Sequence, residues 1–140
     1  MSYIFDTNSG AINVLPKLTF RAGMTLRDVE QKGVVFTREI DMKTGWVFRT
    51  TGPYDVSSHA THLSLGFEND RLKRVGFSFA SKFNDDIKSV RQEHDRFLLQ
   101  ELGEPSGKND HQTIYRFPWG EIASEIDPRG GFSQVLVSWV

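Results

Sequence analysis

Between residues 63 and 79 the chain alternates with period two on both sides of a short turn. Leu63, Leu65 and Phe67 come first, then Asn69-Asp70, then Val75, Phe77 and Phe79. Successive side chains of a strand point to opposite faces, so this spacing puts six large apolar groups on one face of a hairpin. Asn and Asp suit the turn because both tolerate a left-handed backbone. A lone two-stranded ribbon is marginal in water, so that face has to be covered by something else. The chain is thereby restricted to folds built around an antiparallel sheet.

Other segments extend the pattern. Val34–Ile40 and Trp46–Thr51 flank Asp41-Met42-Lys43-Thr44-Gly45, a second hairpin with Gly near the end of its turn. Tyr3, Ile4 and Phe5 read as a first strand, Asp6–Gly10 as a turn, and Ala11–Leu15 as an apolar run before Pro16. Thr50–His59 is polar and holds Gly52-Pro53, which reads as a loop. Toward the C-terminus, Thr113–Trp119, Glu121–Ile126 and Phe132–Val140 read as three strands, with Asp127–Gly131 as the last turn. Short connections of this kind favour antiparallel pairing.

Two helices interrupt the strands. Thr25 is placed to cap the first, with Asp28 in its first turn, Met24 and Val29 at the staple positions and Gly33 to end it. Two turns are marginal alone, so this helix must dock. The second is predicted over Asp85–Leu102: Asn84 is a good N-cap, and Ile87, Val90, His94, Phe97, Leu98 and Leu102 form one stripe. Gly103-Glu104-Pro105 stops it. Each helix ends in Gly and leads into strands, which hints at two loosely similar halves. The expected fold class is α+β, mostly antiparallel sheet with one short N-terminal helix and one long central helix, as a single domain over residues 1–140.

Composition narrows the function classes. With 140 residues, 38% hydrophobic content, eleven Phe and three Trp, the chain can fill one core. Seventeen basic and eighteen acidic residues leave a net charge of −1, without the basic excess that drives nucleic-acid binding. Zero Cys removes disulfides, thiolate metal sites and Cys nucleophiles together, and fits a reducing compartment. Residues 1–6 lack a basic region followed by an apolar run, and no stretch approaches the ~20 apolar residues that span a bilayer. The expectation is a cytoplasmic protein with no membrane contact.

Chemistry-bearing residues are present but do not form a motif. His59 and His62 lie three apart without a third ligand at sensible spacing, and His111 sits in a polar loop. His94 falls within the apolar stripe of the long helix, where a satisfied core histidine is the simpler reading than a catalytic base. None of the serines lies in a nucleophile-elbow context. Gly103–Lys108 fails the phosphate-loop spacing, and Asp6–Gly10 reads as a turn instead of a calcium loop. Glu121 and Glu125 alternate with Ile122 and Ile126, as on a solvent-facing strand. No catalytic residue, metal ligand or cofactor is assigned.

Recognition has more support. Tyr115, Phe117 and Trp119 share one strand face, with Phe117 and Trp119 expected in the core. Arg129 sits at a turn tip, and Trp46 lies close to a turn where exposure is expected. Tyr, Trp and Arg dominate interface hot spots. Glu68 and Asp70 crown the Leu63–Phe79 hairpin, and with Asp85 and Asp86 would make an acidic rim for a basic partner. Trp46, Glu68, Asp70, Tyr115 and Arg129 are therefore the candidate binding residues.

Gly23-Met24-Thr25 opening one helix and Leu102-Gly103-Glu104-Pro105 closing the other resemble the β-lactamase-inhibitor-protein-like fold, which also occurs in a small outer-membrane assembly lipoprotein. The resemblance covers two short stretches and the element order; it departs in lacking a second helix of a pair and the lipid-bearing Cys. It implies a scaffold that binds protein without metal or cofactor. In size, acidity and lack of motifs the chain is also similar in type to small cytosolic bacterial immunity proteins. The expected function is a small protein-binding domain, an inhibitor or immunity protein of a bacterial toxin. The alternatives are an enzyme whose histidines and carboxylates converge from distant segments, and a subunit that dimerises with itself through the edge Val135–Val140.

Overall fold

In the computed structural model, which describes residues 4–14, 17–79, 86–127 and 131–140, the Leu63–Phe79 hairpin lies inside a much larger sheet. The chain runs through strands β1 (Ile12–Val14) and β2 (Leu18–Phe20), helix α1 (Leu26–Glu30), and strands β3 (Phe36–Asp41), β4 (Trp46–Val56), β5 (His59–Glu68) and β6 (Arg71–Phe77). Helix α2 (Ile87–Leu102) follows, then β7 (Gly107–Lys108), β8 (Gln112–Phe117), β9 (Gly120–Asp127) and β10 (Phe132–Trp139). One antiparallel sheet has the order β3-β4-β5-β6-β10-β9-β8-β7, and β1 pairs separately with β2. Each helix thus precedes a four-strand meander, and the two meanders meet at β6 and β10, where Val75 faces Val137.

Local chemistry accounts for the elements. The β5–β6 turn places Asn69 and Asp70 at φ 49° and 62°, the left-handed pair that the hairpin's twist requires. Leu63, Leu65, Phe67, Val75 and Phe77 are all buried, as their alternation demands. Burying each such side chain stabilises the fold by about 1.5–3 kcal/mol before chain entropy is set against it. At α1, the Thr25 hydroxyl accepts from the Asp28 amide at 3.1 Å and the Asp28 carboxylate accepts from the Thr25 amide at 3.0 Å, a reciprocal capping box. Those bonds, above all the one from the Thr25 backbone, hold the Asp28 carboxyl below its ordinary pKa.

All of the remaining elements lie against one face of the large sheet. Phe97 of α2 makes ring contacts with Phe77, Phe79 and Phe5, while Phe20 of β2 meets Tyr54 of β4. Ile12, Val14, Phe20 and Val29 join the same buried cluster as Leu63, Leu65, Val135, Val137 and Ile122. The architecture is therefore two layers, a sheet with one face covered by α2, α1 and the β1–β2 ribbon.

Three sequence expectations require correction. The α+β class is overturned, since among the described residues strand outweighs helix 52% to 17% and an eight-stranded antiparallel sheet dominates. Helix is scarce because α1 has five residues, and strand is abundant because segments read as loops pair with neighbours. Thr50–His59 is such a segment: β4 continues to Val56, with a register shift between Thr51 and Tyr54 that accommodates Gly52-Pro53. The C-terminal strand is not an edge, because β10 lies between β6 and β9. The edges are β3 and the two-residue β7. The predicted cap Asn84 and start Asp85 of the long helix lie outside the described residues. Asp86 caps α2 by accepting from the Lys88 amide at 3.3 Å, and Ser89 Oγ donates to it at 2.9 Å. These bonds, the Ser89 hydroxyl's foremost, lower the Asp86 carboxyl pKa.

Candidate protein-binding face

The second face of the sheet carries no covering layer among the described residues. Registers across the strands align Ile40, Phe48, Gly66, Arg74, Ser138 and Glu121 in one row. The next row runs from Arg38 through Thr50, Ser64, Gly76 and Leu136 to Ala123. Ser64, Gly66, Gly76, Ser138 and Ala123 keep much of the middle of this face low around Leu136, and the aromatic groups lie at the β4 end.

At that end three side chains form a platform. Trp46 stacks on Phe48 with ring centroids 5.6 Å apart and 12° between planes. The Arg74 guanidinium lies over the Trp46 ring at 4.7 Å from its centroid, the geometry of a cation–π contact. Gly66 makes the stack possible. A Cβ there would stand 2.8 Å from Phe48 Cε1, so any larger residue would push the ring off the sheet. The result is a half-buried pair of aromatic rings topped by an exposed cation, adaptable to a partner and inexpensive to desolvate.

The candidate residues fare differently. Trp46 and Glu68 are brought together, directly opposite each other across β4 and β5. Glu68 accepts an ion pair from Lys73 at 3.4 Å. Asp70 is exposed at the hairpin tip, but its Oδ1 accepts from the Leu26 amide at 3.1 Å and so ties the turn to the start of α1. Tyr115 is corrected: only 4% exposed, it points into the core, and its hydroxyl donates to the Gly103 carbonyl at 2.7 Å. Burial, assisted by the charges of Asp95 and Glu104, raises its phenol pKa. Arg129 lies outside the described residues. Phe117 and Trp119 are both half-buried and stack on each other at 4.9 Å, with Trp119 Nε1 donating to the Thr7 carbonyl. Phe48 and Arg74 were missed by sequence reasoning. The signal that would have found them is the strand register, which puts Arg74 in the row of Phe48 two strands away, within reach of Trp46.

The histidines do not assemble a reaction centre. His94 is fully buried; its Nε2 accepts from the Phe79 amide at 2.9 Å, which places the ring proton on Nδ1, donating to Ser133 Oγ at 3.0 Å. Burial pushes its pKa down to about 4, so the ring is neutral at pH 7. Both ring nitrogens are satisfied, and no lone pair is free to act as a base. His59 stacks on Phe79 at 4.2 Å and reaches Glu93 at 2.7 Å, while His62 is exposed on β5. The cleft of about 490 Å³ bounded by Lys88, Arg91, Asp95 and Lys108 holds no histidine, nor does the cleft bounded by Asp6, Asn13 and Leu99–Gly103. Arg91 is committed to the Asp110 and Asn109 carbonyls, Thr113 and Asp95, which fasten α2 to the β7–β8 hairpin. Among the described residues no three His, Asp or Glu side chains are gathered as a metal would need.

Comparisons with known proteins add one finding. No family model matches the chain, and no curated protein matches it. Among solved structures the chain is similar to one chain of the complex described as "Rhs1-CT in complex with cognate immunity protein RhsI1". The TM-score is 0.58 at 14% identity, over 96% of this chain and 85% of that one. At that identity the likeness is one of fold. It lends no support to the β-lactamase-inhibitor-protein-like resemblance of residues 23–25 and 102–105. The fold is shared with one chain of a complex that contains an immunity protein.

Proposed function

We propose that this chain is a small protein-binding domain of the immunity type, which neutralises a toxin by occupying it with the open face of its sheet. The observation that carries the reading is the Trp46–Phe48–Arg74 platform on a face that no other described element covers. Interface hot spots are built from such aromatic and Arg anchors, and the small residues of the neighbouring strands let a partner approach the sheet closely. The shared fold with a chain of a toxin–immunity complex supports the same class of function. A cysteine-free composition suits action in the cytoplasm.

The test is affinity capture from the native host with the tagged chain, its Trp46→Ala variant and its Arg74→Glu variant. The reading expects one dominant protein at near-equal stoichiometry with the unaltered chain, and its loss with both variants. Losing a hot spot costs at least about 2 kcal/mol, or roughly thirtyfold in affinity. Retention of the same partner by both variants would remove the open face from the account, and capture of nothing from lysate and secretome would remove the function.

A further inference from the structure

The free edge of the sheet leads from the platform to a second kind of contact. Among the described residues β3 has one neighbour, β4, so alternate backbone amides and carbonyls along its outer side meet no described strand. Natural edges of this length are usually shortened, bulged inward or covered, and the opposite edge here obeys that rule with only the two residues of β7. β3 instead presents apolar side chains: Ile40 is 42% exposed, flanked by Val35 at 74% and Met42 at 51%. These are three of the six large hydrophobics exposed among the described residues, gathered in eight consecutive positions.

The charges of β3 say what does not pair there. A second copy would add by a two-fold antiparallel register. Centred on Arg38, such a register sets Arg38 opposite itself; centred on Glu39, it sets Glu39 opposite itself. Centred on Ile40, it sets Glu39 opposite Asp41 twice. Like charges directly opposite destabilise a strand pair, so each register that overlaps most of β3 is disfavoured.

The two sides of the edge differ in a way that selects a partner. Ile40 lies on the open face, in the row that leads through Phe48 to Arg74. Glu39 and Asp41 alternate on the other side; Glu39 is ion-paired to Arg49 at 2.9 Å and borders a cleft of about 370 Å³ that Glu30 of α1 lines together with Arg38 and Arg49. We infer that β3 is a strand-addition edge for an extended segment of the partner protein. That segment places apolar side chains against Ile40 on the open face and basic side chains toward Glu39 and Glu30 on the other, while its backbone completes the ladder. This deepens the proposed function and rests on the partner being a protein.

The probe is a terminally blocked eight-residue peptide of alternating Lys and Val, compared with its Glu and Val counterpart, each at millimolar concentration with the full chain. Labelled-peptide anisotropy and backbone hydrogen exchange are read together. The inference expects the Lys peptide to bind at least tenfold more tightly than the Glu peptide and to slow exchange within residues 36–41. It also expects at least tenfold weaker binding to Ile40→Lys and Glu39→Lys chains whose melting temperature is unchanged. The Tyr115→Phe chain, altered in the core, should bind the peptide as well as the unaltered chain does, and partner capture by the Trp46→Ala chain is read separately, so failure of the edge and failure of the open face are separable. Equal affinity for both peptides, protection elsewhere, no binding by either peptide, or concentration-dependent protection of β3 without peptide would each overturn it.

Discussion

The two faces of the eight-stranded sheet use the same strands for opposite ends. On the covered face Leu63, Leu65, Phe67, Val75, Phe77, Val135 and Val137 are closed off from water and form one cluster with the helices. On the other face the same strands contribute the small residues Ser64, Gly66, Gly76 and Ser138 beside Leu136, with the aromatic groups Trp46 and Phe48 and the cation Arg74 gathered toward β4. Alternation along a strand makes such division of labour possible, since each face can be composed without altering the other. The lesson is that the covered face carries the stability, which leaves the open face free for the recognition proposed above. The histidine with the most perturbed titration belongs to the first region. His94 rests in the core with its hydrogen bonds satisfied, so a shifted pKa here marks burial and not catalysis.

The sharpest way to break this division is by truncation on each face. Phe67→Ala on the covered face is expected to cost about 3–5 kcal/mol in urea unfolding. Leu136→Ala on the open face should cost about 1 kcal/mol, and comparable losses would show that the faces are not energetically distinct. The next largest effect is one of pH. His94 has a folded pKa of about 4 against an ordinary 6.5, so the unfolded chain takes up a proton first as pH falls. The contribution is fully present above pH 6.5, is lost between pH 6.5 and 4, and amounts to about 3 kcal/mol at roughly 1.4 kcal/mol per pK unit. Urea midpoints measured across that window should fall steadily, whereas a flat profile would contradict the buried, neutral ring. A smaller effect separates Tyr115 from the recognition residues: Tyr115→Phe should lose about 1 kcal/mol of stability with its bond to the Gly103 carbonyl and leave partner affinity unchanged. Arg74→Ala, smallest in stability, should shift unfolding by about 0.5–1 kcal/mol, the scale of an exposed cation–π contact, and would contradict the account if it unfolded the chain.

How much could be read in the sequence follows from how local each signal is. The Thr25 cap with Asp28 in the first turn, the Asn69-Asp70 turn and the helical stripe up to Leu102 depend on residues a few positions apart, and each is in place. The helix–strand balance was not legible, because pairing partners decide it. Gly52-Pro53 signals a loop by itself, yet Tyr54 to Val56 pair with His59 to Thr61 and draw the segment into β4. The centrality of β10 depends on β6, some sixty residues earlier by sequence number, so the apolar run Val135–Val140 could not reveal that it has two neighbours. The same reasoning applies to the site. Period two told that Tyr115 shares a face with its alternate neighbours, but not that α2 covers that face. Trp46 was legible as an aromatic near a turn; Arg74 was not, because only the registers of β4, β5 and β6 bring its guanidinium over that ring.

The most direct test of the open face is a calorimetric titration of the captured partner into the unaltered chain and the Trp46→Ala, Arg74→Ala and double variants. The account predicts at least tenfold weaker binding for each single variant, with melting temperatures close to that of the unaltered chain. It also predicts a double variant that loses less than the sum, because the two side chains form one platform. Undiminished affinity in the double variant would contradict the central claim and place recognition elsewhere on the molecule.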